Sequence, residues 1–385
     1  MKADRIVLLL LVGVFACSIA SFTWAEEPIQ PVFSQYMKEL DVWRGQFTFF
    51  RSDKGELVLL GSGSSAIASD DEGRTWHDWA DGDTWPGIAV SAIARRGNEL
   101  FIHPDSPDLR VYRSKDGGKT WDDGHLFMQW PKLVAIPNGP RQDHPDERYR
   151  GKALLWGPSG DRIVVNQEGH LVVSVTWLLG GEGTGPELVG SMISEDDGVT
   201  WRCYELFGPP RGYRDRPEGF AEPKPVLLSD GRMWMVFRTP LGHLWQAFSE
   251  DGGRTWGEPS STGLVSLLGP LNAQRVPGKD TVVVVFANAP PTATTEWRVE
   301  HNFWFPRRPM VFAVSHDHCK TWSQPVVITE KWGYMRNIFF SDKEMFINYE
   351  EGTSGKHLAP GFQYRPRLVI YDLKDVLALD SHERQ

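Results

Sequence analysis

SDDEGRTW at 69–76 returns, with small changes, as SKDGGKTW at 114–121, SEDDGVTW at 194–201, SEDGGRTW at 249–256 and SHDHCKTW at 315–322. The shared pattern is S-x-D-x-x-x-T-W, with Gly fifth in four of the copies and Cys319 in that place in the last. Each kept position has a turn-building use. Ser and Asp side chains bond nearby backbone N–H groups, Gly accepts a positive φ, and Trp supplies a large apolar anchor at the start of the next strand. Copies spaced by roughly 45 to 80 residues mean one supersecondary unit repeated along the chain, and propellers and similar arrays are built that way. Five acids in the same turn position read as structural, and the turn at Cys319 is expected to be strained or reshaped.

Between the copies lie short runs rich in β-formers, at 56–60, 162–165, 171–177, 232–238, 281–287 and 310–315, bounded by Gly, Pro, Asn or Asp. This is the pattern of many short antiparallel strands. No long segment beyond the N-terminal leader has helical periodicity, so the chain is read as all-β. With 385 residues and no dividing linker, it reads as one repeated domain over 26–385. Seventeen Trp and 12% aromatics supply ample core material for a domain of that size. Segments 138–150 and 208–219 are dense in Pro, Gly and charge and read as long loops, the usual carriers of function on a rigid scaffold.

Residues 6–20 are apolar and follow Lys2 and Arg5. They are too short and wrongly flanked for a membrane span, so 1–25 reads as a secretory signal cut after Ala25. Val14-Phe15-Ala16-Cys17 also loosely resembles a lipoprotein cleavage site, which would place a lipid on Cys17. The expected location is therefore secreted or periplasmic. Removing the leader takes the net charge from −9 to −10, which argues against nucleic acid and against an anionic membrane surface. An anionic sugar is still compatible, because a few local Arg residues outweigh a diffuse field. Cys203 and Cys319 remain, and permit one disulfide without requiring it. Metal-type Cys or His spacing and a phosphate-binding Gly loop are both absent from the sequence. No metal or cofactor is expected, and the protein is read as a monomer.

The repeated pattern is the Asp box, and the chain resembles the sialidase superfamily over nearly its whole length after residue 25. The resemblance implies a six-bladed β-propeller of four-stranded antiparallel blades, one blade lacking a box, with the boxes on the rim away from the catalytic centre. It extends to finer spacing. In bacterial sialidases the Glu that activates the nucleophile is followed after eight residues by Asp-Gly and after sixteen by a sugar-binding Arg. Glu222, Asp230 and Arg238 keep that order. An even separation also suits two strands of one hairpin presenting side chains to one face. The family's nucleophilic Tyr precedes an Asp by eight residues and a Glu by sixteen, as Tyr334 precedes Asp342 and Glu350. Another sugar-binding Arg is placed seven residues before the last box, which falls on Arg308, with Arg307 beside it. Gly157-Pro158-Ser159-Gly160 resembles the Gly-Pro-rich turn of the third blade. Taken singly, each of these residues also has a plainer reading as a surface Glu, a strand-end Arg or a strand Tyr.

These residue types make one chemistry together. Converging Arg groups would hold the carboxylate that sialic acid carries on its anomeric carbon, by charge-assisted and partly bidentate bonds. A carboxylate nucleophile would be repelled by that anionic centre, whereas a neutral Tyr activated by a Glu is not. The resemblance thus implies a secreted exo-glycosidase that removes terminal acidic sugars with retention. Tyr334 would be the nucleophile, Glu222 its base, and Arg44, Arg238 and Arg308 the carboxylate clamp. Arg44, in Trp43-Arg44-Gly45, lies nearest the family's first Arg although the Arg-Ile-Pro tripeptide is missing, and Arg51 stands behind it. The stretch 60–69, where the family carries its acid/base Asp, contains no acid. Asp81, Asp83, Asp143 or Asp215 would supply the acid from another loop, and spacing supports none of them. Two alternatives keep the fold: a hydrolase or lyase acting on uronic-acid polysaccharides, with His103, His144 or His301 in the pocket, or a glycan-binding propeller without catalysis.

Overall fold

The computed structural model describes residues 29–37, 48–60, 66–79, 90–104, 110–126, 132–135, 152–155, 163–178, 187–208, 219–289, 307–352 and 364–380. Their strands form six antiparallel sheets, the six blades of a β-propeller. The six runs read as strands are strands, with ends shifted by at most one residue: Leu57–Leu60, Ile163–Val165, Leu171–Leu178, Met233–Arg238, Val282–Ala287 and Met310–Ser315. The innermost strands of blades one, two, four, five and six are Thr48–Arg51, Val90–Arg96, Ala221–Leu227, Leu271–Arg275 and Gly333–Phe340. Strands such as Val282–Ala287 are buried on both faces because each blade is covered by its two neighbours. They accordingly read as continuous apolar runs rather than alternating ones.

Blade three departs from four strands. Lys132–Ala135 pairs with Lys152–Leu155, and both Lys152–Leu155 and Ile163–Val165 pair with Leu171–Leu178. Its inner position is thus divided between two short strands. Gly157-Pro158-Ser159-Gly160 and most of the two expected loops lie outside the described residues. Among the described residues the one helix is Leu373–Leu377, and none is long and apolar enough to cross a membrane. The leader and Cys17 also lie outside the described residues.

The boxes occupy the turn between the last two strands of blades one to five, and blade six has none. In the first, Asp71 Oδ1 accepts from Ser69 Oγ at 2.9 Å and Thr75 N at 2.8 Å, while Oδ2 accepts from Thr75 Oγ1 at 2.6 Å. Ser69 Oγ in turn accepts from Gly73 N at 2.7 Å. Burial pushes the Asp71 carboxyl up, but these bonds outweigh it and hold the group at about 2. The same set of bonds surrounds Asp116, Asp196, Asp251 and Asp317.

Of the two outcomes expected at Cys319, the turn is strained but not reshaped. Cys319 N donates to Ser315 Oγ at 3.0 Å as Gly does elsewhere, and the residue simply adopts φ +65°. The cost of a left-handed residue with a Cβ is of order 1 kcal/mol, and the fully buried Cys319 side chain packs in the core with Trp234 and Trp322. Cys203 and Cys319 are both free thiols rather than a disulfide. Burial pushes Cys203 up to about 12 and Cys319 well above the ordinary thiol value, so neither serves as a thiolate.

Boxes also fasten neighbouring blades. Arg74 of the first box pairs with Glu344 of blade six at 2.5 Å, and Arg254 of the fourth pairs with Glu168 of blade three at 2.7 Å. Blade six is completed by the N-terminal strand Phe33–Tyr36, which pairs with Tyr364–Asp372 in the register Phe33↔Ile370. Glu351 locks that joint: it accepts from Tyr36 Oη at 2.7 Å, Lys331 Nζ at 2.7 Å and Arg367 Nη1 at 2.8 Å.

Candidate active site

Both sixteen-residue spacings are hairpins in the structure, each with its middle Asp in the turn. Tyr334, on the inner strand of blade six, lies directly opposite Glu350 on Glu344–Gly352, and Asp342 sits in the connecting turn. Asp230 occupies the turn between Ala221–Leu227 and Met233–Arg238, where its carboxylate accepts from Arg232 Nε at 2.8 Å. A side chain in each turn, some eight residues from the strand ends, takes no part at the far end of the hairpin.

Glu222 is aimed by a bulge. The ladder slips between Ala221 and Lys224, so Arg238 faces Ala221, and Glu222 takes φ +49°, a strained value for a residue with a Cβ. Two buried hydroxyls of blade three hold the bulge. Glu222 N donates to Thr176 Oγ1 at 3.3 Å, and Ser174 Oγ donates to the Pro223 carbonyl at 2.7 Å. Thr176→Val removes an acceptor while keeping shape, and is expected to lower stability by about 1–2 kcal/mol, read by urea denaturation. An unchanged midpoint would show that the bulge holds without it.

The side chains of blades four, five and six meet here. Tyr334 Oη donates to Glu222 Oε1 at 3.4 Å, and Arg238 Nη1 lies 3.2 Å from the same oxygen. Arg238 Nη1 also donates to the Leu268 carbonyl at 3.4 Å. The Arg307 guanidinium lies 4.7 Å from the centre of the Tyr334 ring and 5.4 Å from that of Trp332. Arg336, two residues beyond Tyr334, lies 4.5 Å from the same Tyr ring and donates to Glu350 at 2.9 Å. Lys224 is 1% exposed and its charge acts on Glu222. Burial pushes the Glu222 carboxyl up, yet Arg238, Lys224, Arg307 and the Tyr334 hydroxyl together hold it below the usual range. An ionised carboxylate thus faces a phenol within a set of cations, on a chain whose net charge is −9. This arrangement can take a proton from the phenol and hold an anion beside it.

Of the expected residues, Tyr334, Glu222 and Arg238 are brought together. The arginine at the Tyr334 ring is Arg307, not Arg308: Arg307 is 7% exposed, whereas Arg308 points to solvent. Arg51 is drawn elsewhere, into a two-armed pair with Glu72 at 2.8 and 2.9 Å. Arg44, Asp81, Asp83, Asp143, Asp215, His144, His301 and the side chain of His103 lie outside the described residues. Arg336 was not anticipated. It is the extra residue of a bulge, which regular strand alternation does not foretell. Separately, a cavity of about 970 Å³ opens at the far ends of the inner strands, floored by Phe49, Phe50, Phe339 and Phe340, and holds none of this cluster. Glu56, Asp70 and His77 also gather metal-type donor atoms in blade one, a grouping that linear spacing conceals.

Residues 114–350 match the BNR repeat-like domain. The chain belongs to that family. No curated protein matches this BNR repeat-like chain. Among solved structures it is similar to a protein of unknown function from Dyadobacter fermentans, with a TM-score of 0.53 at 14% identity, covering 90% of this chain and 99% of that one. It is also similar to Trypanosoma rangeli sialidase in complex with 2,3-difluorosialic acid, a covalent intermediate, with a TM-score of 0.54 at 15% identity, covering 86% of this chain and 55% of that one. A third is the Hadza microbial sialidase Hz136, with a TM-score of 0.54 at 18% identity, covering 86% and 65%. The BNR repeat-like chain therefore spans about half to two thirds of these sialidases. At such identity the likeness shows the shared sialidase-type propeller fold.

Proposed function

We propose that the protein is a retaining exo-glycosidase of sialidase type that acts on glycans ending in an acidic sugar. The observation that carries this reading is the Tyr334 hydroxyl 3.4 Å from a half-buried, ionised Glu222, with Arg238 and Arg307 beside them. Arg238 and Arg307 hold the sugar carboxylate. Tyr334 Oη bonds to the anomeric carbon as the bond to the leaving oxygen breaks, the electron pair going with that oxygen. The phenolic proton passes to Glu222, and a proton donor on a loop outside the described residues neutralises the leaving group. Water then attacks the anomeric carbon, its proton passing to the deprotonated loop group as the bond to Tyr334 Oη breaks; Glu222 returns the phenolic proton, and the sugar leaves with its configuration retained. Secretion, with residues 1–25 as the signal, belongs to the same proposal.

2,3-Difluorosialic acid tests it. Tyr334 Oη would bond to C2 as fluoride departs with the electron pair and the phenolic proton moves to Glu222. The fluorine at C3 destabilises the positively charged transition state for breakdown, so the adduct persists. Intact-protein mass is expected to rise by one glycosyl unit, located on the tryptic peptide 332–336. Folded protein that takes up no label would sink the sialoside reading, and uronic-acid polysaccharides would be tried next.

A further inference from the structure

We infer that Arg336, anchored by Glu350, is a positioning residue that fixes the Tyr334 ring and stabilises negative charge as it develops on the phenol. This rests on the assignment of Tyr334 as nucleophile. Three observations place Arg336 there by construction rather than by chance contact. The ladder between Gly333–Phe340 and Glu344–Gly352 slips between Met335 and Asn337, so Arg336 is the extra residue of a bulge. Asn272, fully buried on the inner strand of blade five, donates its side-chain N–H to the Arg336 carbonyl at 2.8 Å and holds the bulge from the neighbouring blade. Glu350, 8% exposed on its side chain and directly across the ladder from Tyr334, takes the guanidinium at 2.9 Å.

The guanidinium so held lies 4.5 Å from the ring centre, as close as the Arg307 guanidinium at 4.7 Å. A cation at that range attracts the aromatic ring, and attracts it more strongly once the oxygen carries charge. Glu222 opposes it, since a carboxylate beside the phenol disfavours the phenolate. A second guanidinium on the ring offsets that opposition while Glu222 stays available to receive the proton. Glu350 Oε2 accepts from Arg336 Nη2 at 2.9 Å and so anchors the guanidinium beside the ring. Arg336 thus acts through the nucleophile rather than by gripping the sugar, and its loss is expected to appear in kcat more than in KM.

The test uses the full chain with Arg336→Met, Arg336→Lys and Glu350→Gln. On an aryl α-sialoside, Arg336→Met is expected to lower kcat by about ten- to a hundredfold with KM within about threefold, and Arg336→Lys to recover part of the loss. A second readout needs no substrate: NMR of protein labelled at tyrosine Cζ, with Tyr334 assigned by the signal missing from Tyr334→Phe. The ionisation midpoint of Tyr334 is expected to move upward in Arg336→Met, which removes a cation, and downward in Glu350→Gln, which removes an anion and leaves the guanidinium. A midpoint that stays put in folded variants overturns the inference, as does a raised KM at unchanged kcat, which would make Arg336 a sugar-binding group. If wild type turns over no acidic glycoside, the catalytic reading has failed, while the titration still decides whether Arg336 acts on Tyr334. If Arg336→Met does not fold, Arg336→Gln, which also removes the cation, carries the same decision.

Discussion

Tyr334→Phe is expected to lower kcat for an aryl α-sialoside by at least about 10³-fold while leaving the protein folded, because the only atom removed is the one proposed to form the new bond. An aryl leaving group departs as a stabilised anion and needs little help from a proton donor. The assay therefore reads the nucleophile and not the acid. Folding should survive, because the ionised Glu222 keeps Arg238 at 3.2 Å and the nearby charges of Lys224 and Arg307. The expected change in stability is within about 1 kcal/mol. Substrate affinity is expected to hold as well, since the guanidinium groups assigned to the carboxylate stay in place. A variant retaining more than a tenth of wild-type kcat would remove Tyr334 from the mechanism.

Glu351→Gln is expected to produce the largest loss of stability, and to do so without touching Tyr334, Glu222, Arg238 or Arg307. Glu351 is 2% exposed, and its carboxylate joins the first strand of the chain to blade six through Tyr36 and Arg367. Burial pushes this carboxyl up, but the bonds from Lys331, Tyr36 and Arg367 outweigh burial and hold it at about 2, below the ordinary 4.5. A group depressed in this way stabilises the fold fully above its unfolded value and loses that contribution as pH falls through the folded value. The shift corresponds to at most roughly 3 kcal/mol, shared among Lys331, Tyr36 and Arg367, with the Lys331 share reduced because that side chain is 59% exposed and screened. Urea denaturation at pH 7 is expected to show a deficit of roughly that size in the variant, shrinking by about half at pH 3. A deficit independent of pH would mean that shape, not charge, holds the joint.

The propeller was legible because its signal is redundant. Each box repeats a self-contained turn whose Asp, Ser and Thr satisfy one another, so the pattern survives whatever the blades around it do. The two sixteen-residue spacings were legible for a related reason: a hairpin with its turn at the midpoint places its ends together, as Tyr334 and Glu350 show. What linear spacing missed are departures from regular pairing. It could not show that one extra residue at Glu222 and another at Arg336 turn those side chains out of the ladder, because a bulge leaves the residue count between motifs unchanged. The choice between Arg307 and Arg308 also depended on which one packs on Trp332 and Tyr334, side chains from a different blade. The extra strands of blade three carry no box and so left no mark in the repeat.

The pairing of Phe33 with Ile370 also has a consequence for the order in which the protein is made. During synthesis the first strand emerges long before the strand it will lie beside, so five blades can stack as an open arc while the sixth waits for its last piece. Joining residues so distant in sequence is slow, because the ends of a long chain must find each other. Tyr334 and Glu350 stand on that last blade. The blade that carries Tyr334 is therefore complete only once Tyr364–Asp372 is present and the circle is shut, and a chain stopped short of residue 364 would hold Tyr334 on a sheet lacking its two outer strands. Activity in this protein would double as a report that its assembly is complete.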